Sequence, residues 1–294
     1  MAVSYLHLRH QLPVVASLGA TALGALRPRH GAPPPTPGPE LTRTLAPRSP
    51  ELVRAYLRTV GGDPGAYRGV LPPHLFPQWG FPLAARTLAG VPYPLHRVLN
   101  GGCRLEIHAP LPADEPLHVR AQLMAIDDDG RRAVLQQRVT TGTASAPDAL
   151  VATLFAIVPL PKAGAGGDAP RAPKQVVRVP DDAAELAYWR LGADAGLAFA
   201  TVTGDINPVH WSRRYARASG FRGTILHGFA TMARAIEGVI RTRLAGDAAR
   251  LRVWDARFTR PLVLPAQVGL YAQDGHAWVG DAPGGPAYLA ATYG

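Results

Sequence analysis

Residues 199–228 read FATVTGDINPVHWSRRYARASGFRGTILHG, and an apolar run rich in small residues, 229–240, follows at once. The stretch opens on the end of a helix, with Asp194 as a candidate N-cap upstream and Gly204 near the C-terminus. Asp205-Ile206-Asn207-Pro208 then makes a tight bend, because Asp and Asn side chains bond their own backbone and Pro fixes its φ. His210 follows five positions after Asp205. A carboxylate and an imidazole at that spacing can converge on one water as a general acid/base pair. Thr224-Ile225-Leu226-His227-Gly228 leads into the apolar run, where Ala230, Ala233 and Ala235 allow close packing of a helix. The free N–H groups at such a helix start suit a carbonyl oxygen that gains negative charge. Taken alone, Asp-x-Asn-Pro also suits an ordinary turn. His227 reads as a support that hydrogen-bonds the loop.

Outward from this stretch, the chain repeats itself. Trp79-Gly80-Phe81 followed by Arg86 matches His227-Gly228-Phe229 followed by Arg234, and LEIHAPL at 105–111 matches ARFTRPL at 256–262. Upstream, Thr59-Val60-Gly61-Gly62-Asp63 echoes Thr201-Val202-Thr203-Gly204-Asp205. Three matches in one order indicate duplication. The first copy is shorter between Asp63 and Trp79 than the second between Asp205 and His227, so it lacks a segment. No histidine follows Asp63 at the spacing of His210, and Asp63 reads as structural. Helices are predicted at 81–88 and 229–240. Strands are predicted at 102–109, 117–126, 133–140 and 150–158, then at 251–258, 267–273, 277–280 and 287–293. One helix followed by several antiparallel strands, twice, is an α+β arrangement in which a sheet wraps a helix. The Pro/Gly-rich stretch 159–174 reads as a linker between units at 51–158 and 175–294. Residues 1–50 read as a peripheral segment followed by a Pro-rich extended connector from 27.

Composition narrows the function classes. The chain has 294 residues, 47% of them hydrophobic, which is ample for a core. One cysteine excludes a disulfide framework and any Cys-based metal cluster; Cys103 reads as a buried small residue. No uncharged apolar stretch reaches the length of a membrane span. Residues 11–26 resemble the apolar core of a signal peptide, but Pro13 and a weak basic start argue against export, and a cytoplasmic location is expected. The net charge of +10 comes almost wholly from scattered arginines, with no basic run interleaved with aromatics, so nucleic acid is not an expected partner. Trp189, Trp211, Trp254 and Trp278 read as core or pocket wall.

Thr203-Gly204-Asp205-Ile206-Asn207-Pro208-Val209-His210, with Ala216, Gly220-Phe221 and His227-Gly228-Phe229, resembles the hydratase-2 signature of the MaoC-like family of (R)-specific enoyl-CoA hydratases and 3-hydroxyacyl dehydratases. The resemblance implies a double hot-dog fold. It implies that Asp205 and His210 hold and activate the water, that the Gly228 N–H polarises the thioester carbonyl, and that Asn207 steadies the loop. It further implies a degenerate, non-catalytic hot-dog at 51–158 and a catalytic one at 175–294. The degenerate half would have a shortened helix, which Gly80, Pro82, Gly90 and Pro92 suit, and would make room for the acyl chain. Trp211-Ser212-Arg213 departs from the commoner aliphatic-acidic-proline run after the histidine, which bears on loop shape or substrate preference. The implied activity is reversible hydration of trans-2-enoyl thioesters, with no metal, flavin or nicotinamide. Coenzyme A or the phosphopantetheine of an acyl carrier protein enters only as part of the substrate. The alternative is a non-catalytic hot-dog protein that binds acyl thioesters or supports a partner enzyme. A homodimer is an expectation; chain length and thioester carrier stay open.

Overall fold

The computed structural model describes His7, Gln11, Val14, Val15 and residues 31–160 and 176–294. The expected linker beyond residue 160 and most of the 11–26 segment lie outside the described residues.

The first half holds β1 (Leu41–Leu45), α1 (Pro50–Val60), the short β2 (Val70–Leu71), α2 (Pro77–Thr87), β3 (Leu99–Ile107), β4 (Leu111–Pro112), β5 (Leu117–Asp128), β6 (Arg132–Gly142) and β7 (Leu150–Pro159). The second holds β8 (Ala184–Leu191), α3 (Ala195–Thr203), α4 (Arg213–Ala218), α5 (Gly228–Arg243), β9 (Val253–Phe258), β10 (Ala266–Gln273), β11 (His276–Gly280) and β12 (Ala287–Tyr293). Apart from the β2–β4 pair, the strands form one ten-stranded sheet in the order β1-β5-β6-β7-β3-β9-β12-β11-β10-β8. All of its pairings are antiparallel. Read outward from the centre, the halves have the same order, β3-β7-β6-β5-β1 against β9-β12-β11-β10-β8. The duplication seen in the sequence is thus a pseudo-twofold about the β3–β9 seam, where Cys103 lies opposite Ala256 and Leu105 opposite Trp254.

The sheet buries alternate residues, as along β7, where Leu150, Ala152, Leu154, Ala156 and Val158 face inward. What they wrap is helical. Helix α5 buries Phe229, Met232, Ala233, Ile236, Val239 and Ile240, each large side chain adding about 1.5–3 kcal/mol of burial. Helix α2 has Pro82 in its interior and runs 11 residues against 16 for α5. Phe81 and Phe229, paired by the repeat, meet edge to face with ring centroids 5.0 Å apart. One apolar core runs through both halves. A buried polar cluster also bridges them: Glu237 of α5 accepts from the Tyr67 hydroxyl at 2.8 Å and lies 2.8 Å from His74 Nε2, while Tyr56 lies 2.9 Å from His74 Nδ1. Among the described residues no helix is long and apolar enough to cross a membrane.

The eight predicted strands and two predicted helices are present, with α2 beginning earlier and α5 ending later than expected. Residues 41–45, read as connector, form β1; α1, β8 and α4 add elements the sequence reading did not name. The repeat is displaced by one position at the first helix. Gly61 (φ 79°) ends α1 as Gly204 (φ 83°) ends α3, so Gly61, not Gly62, is the counterpart of Gly204. The segment missing from the first copy is α4.

Candidate active site

Helix α3 stops because Gly204 takes the left-handed conformation that a Cβ disfavours, its N–H still reaching the Ala200 carbonyl at 2.9 Å. The chain turns there into Asp205. Asn207 Oδ1 then accepts from the Val209 N–H at 3.2 Å and caps the short 3₁₀ turn Pro208–His210. That turn aims His210 at residues 224–227. The Ile225 N–H donates to the Val209 carbonyl at 3.2 Å, and His210 Nδ1–H donates to the Ile225 carbonyl at 2.8 Å. Leu226 N–H reaches the Leu262 carbonyl and Leu264 N–H the Thr224 carbonyl, each at 2.8 Å, which ties the segment to the β9–β10 connection.

With Nδ1–H spent on a carbonyl, a neutral His210 keeps its lone pair on Nε2. Burial pushes its pKa down, partly offset by the neighbouring Asp205 carboxylate and the Ile225 carbonyl, so the neutral form prevails at pH 7. His227 is fully buried at the start of α5 and donates Nε2–H to the Asp205 carbonyl oxygen at 3.0 Å. Its ring stacks on His210 with centroids 3.4 Å apart, and burial, reinforced by His210, holds its pKa well below the usual histidine range. It ties the start of α5 to the backbone at Asp205.

Gly228 is the first residue of α5, and a Cβ there would lie 2.9 Å from the Phe258 ring. Glycine lets that ring rest on the helix start, where the backbone N–H has no carbonyl one turn earlier within the helix. The corresponding Gly80 sits inside α2, and its N–H is spent on the Phe76 carbonyl at 2.7 Å. Among the described residues, the first half therefore has no counterpart of the free Gly228 donor or of the Asp205…His210 pair. Asp63 there caps a 3₁₀ turn through Gly65 N–H at 2.8 Å.

Asp205, Asn207, His210 and Gly228 line one cleft of about 2710 Å³. It continues into the first half past the end of the short α2, where Leu88, Val91, Leu95, Leu123, Leu154 and Ile157 make an apolar wall. All five predicted site residues thus come together, with His227 behind the lining. Two partners escaped the sequence reading. The Ile225 carbonyl is main chain and carries no side-chain signal, and Phe258 could have been found only through its place in the repeat. Cys103 is buried as expected. Trp211 corrects the expectation of core or pocket wall: it is 45% exposed.

Asp205, His210 and His227 each offer an atom within 4.8 Å of the others, a set that a divalent metal could use. The stacked imidazoles make it a poor fit, since their in-plane lone pairs run side by side rather than converge, and His227 Nε2–H is already donated.

Residues 170–279 match the family profile described as "MaoC like domain". The chain is 26% identical over 174 residues to the probable enoyl-CoA hydratase 2 of Dictyostelium discoideum, covering 58% of each protein. It is 30% identical over 171 residues to the 3-hydroxyacyl-thioester dehydratase Y of Mycobacterium tuberculosis, covering 56% of this chain and 58% of the relative. The chain thus spans somewhat over half the length of the curated relatives it matches. The crystal structure of HtdX from Mycobacterium tuberculosis superposes with a TM-score of 0.69 at 20% identity, over 87% of this chain and 99% of that one. A second protein of that organism, described as having a double hot-dog fold, superposes with a TM-score of 0.58 at 15% identity over 88% of this chain and 96% of that one.

Proposed function

Residues 170–279 are a MaoC-like domain set in a double hot-dog fold, and from that premise we propose that the chain adds water reversibly across trans-2-enoyl thioesters to give (3R)-3-hydroxyacyl thioesters. The observation that carries the reading is the His210 Nδ1–Ile225 carbonyl bond, which leaves Nε2 unprotonated in the cleft that also holds the Asp205 carboxylate and the start of α5.

In this reading a water sits between Asp205 and His210 Nε2. As its oxygen bonds to C3, one proton passes to the pair, the C2–C3 π electrons move toward the thioester carbonyl, and the enolate oxygen meets the Gly228 N–H and the positive end of α5. The pair then returns a proton to C2, closing the balance of one water added. Dehydration is the same path reversed. Asn207 and His227 keep the loop in register. The acyl chain runs along the apolar wall of the first half. No metal, flavin or nicotinamide takes part, and a cytoplasmic location belongs to the same reading.

Each member of the pair should contribute about 10²–10⁴-fold in rate. Asp205→Asn and His210→Ala are each expected to lower turnover of crotonyl-CoA or a longer enoyl-CoA at least about a hundredfold, with circular dichroism unchanged. Turnover near wild type in either variant would overturn the assignment.

A further inference from the structure

Between Asp205 and Glu237 the chain carries five arginines and no carboxylate. Four of them, Arg213, Arg214, Arg217 and Arg222, are exposed on or just after α4, the helix that the first half lacks. Among the described residues, three arginines elsewhere do find carboxylates: Arg104 pairs with Glu106 and Asp255, Arg120 with Asp148, and Arg132 with Asp129. None of the four near α4 has an ion pair among the described residues.

Two aromatic side chains stand among these cations. Tyr215 is 50% exposed and lines the cleft mouth. Trp211 is fixed without being buried, because its indole N–H donates at 2.9 Å to the carbonyl of Ile206, the residue after Asp205. Exposed aromatics interspersed with arginines are the composition of a protein-binding surface.

We propose that the α4 face is the docking surface for an acidic acyl carrier protein, which presents the thioester to the cleft on its phosphopantetheine arm. The proposal rests on the hydratase reading and names the form in which its substrate arrives. Position separates a carrier from coenzyme A. Cations that served the coenzyme's phosphates would line the way out of the cleft, as Arg97 and Arg260 do. Arg213, Arg214 and Arg217 lie outside that lining, spread over an outer helix face. Charges so placed meet a partner's surface and steer its approach. Because Trp211 is bonded to the catalytic loop, a carrier seated on it would bear directly on Asp205.

The test compares crotonyl groups carried by coenzyme A and by an isolated acyl carrier protein, using the wild type, the triple variant Arg213→Glu/Arg214→Glu/Arg217→Glu and the milder Arg213→Gln/Arg217→Gln. With the carrier substrate, kcat/KM should fall about tenfold or more in the triple variant and severalfold in the milder one; with the coenzyme A substrate it should stay within about twofold. Equal losses on both substrates would assign the cations to the coenzyme's phosphates and overturn the proposal, as would no loss on either. Binding of a fluorescently labelled holo carrier, which bears only a thiol, is read by anisotropy and needs no turnover. It should be present in the wild type, weakened by salt and lost in the triple variant. Binding with no turnover of any thioester would sink the hydratase reading and spare the docking surface; turnover with no binding would do the reverse.

Discussion

Because Ile225 takes the Nδ1 proton of His210, the imidazole meets the cleft with a lone pair whenever it is neutral. Burial lowers the His210 pKa from its ordinary 6.5, so that state persists into mildly acid solution. The kcat/KM for hydration should therefore be flat through neutrality and fall only on an acid limb centred below pH 6.5. Asp205 is the charge that opposes the lowering. The residual activity of Asp205→Asn should accordingly have its acid limb displaced to still lower pH, and a limb displaced upward would contradict the assignment. Stability follows the same sign. A histidine with a depressed folded pKa binds fewer protons folded than unfolded, so the stability that His210 and His227 lend is complete above pH 6.5 and drains away as pH falls through their folded values. At this scale the site was legible because Asp205, His210 and Gly228 lie within one short stretch of chain, where spacing alone implies proximity. The Ile225 carbonyl was not legible, since any residue offers a carbonyl. Trp211 misled because a tryptophan ordinarily hides its ring, and here a hydrogen bond holds it in the open.

Strands and helices were readable in proportion to how much of each is buried. The eight predicted strands alternate or run apolar. Within the ten-stranded sheet, the two missed strands, β1 and β8, are its outer edges, paired on one side only. Their inward demand is slight: β1 has no fully buried residue and β8 only Leu191. Helix α1 did carry a signal, with Leu52, Val53, Tyr56, Leu57 and Val60 on one stripe, but no element was named there between the Pro-rich connector and the first predicted helix. The two glycines that end α1 and α3 give an element-level test. A Cβ on Gly61 would meet nothing nearer than Arg234 at 3.7 Å, whereas one on Gly204 would lie 2.8 Å from Val14. Both substitutions to alanine should cost about 1–2 kcal/mol for the left-handed backbone, read by urea unfolding, with Gly204→Ala costing the more. Only Gly204→Ala should also lower hydration, since it alone leads into Asp205.

Over the whole molecule, the duplication was legible as a faint echo, but the way the copies join was not: the β3–β9 pairing links residues about 150 positions apart, as Cys103 and Ala256 show. The bridging cluster was equally hidden, because Glu237 on α5 gives no sign that its partners are Tyr67 and His74. Removing that carboxylate in Glu237→Leu would leave two buried polar groups without an acceptor, at a cost of about 2–5 kcal/mol. Glu237→Gln, which keeps an acceptor oxygen, should cost less. With one core running through both halves, urea unfolding should remain a single transition in each variant; a split transition would mean that the halves fold separately. The seam has one more consequence. The apolar wall and the Asp205–His210 pair belong to different halves yet line one cleft and share one core, so the fold itself fixes them relative to one another. In the proposed reading, one chain supplies both parts of the site across this seam. A fault in its wall cannot be made good by subunit exchange with an intact neighbour, and natural selection must judge the two halves together.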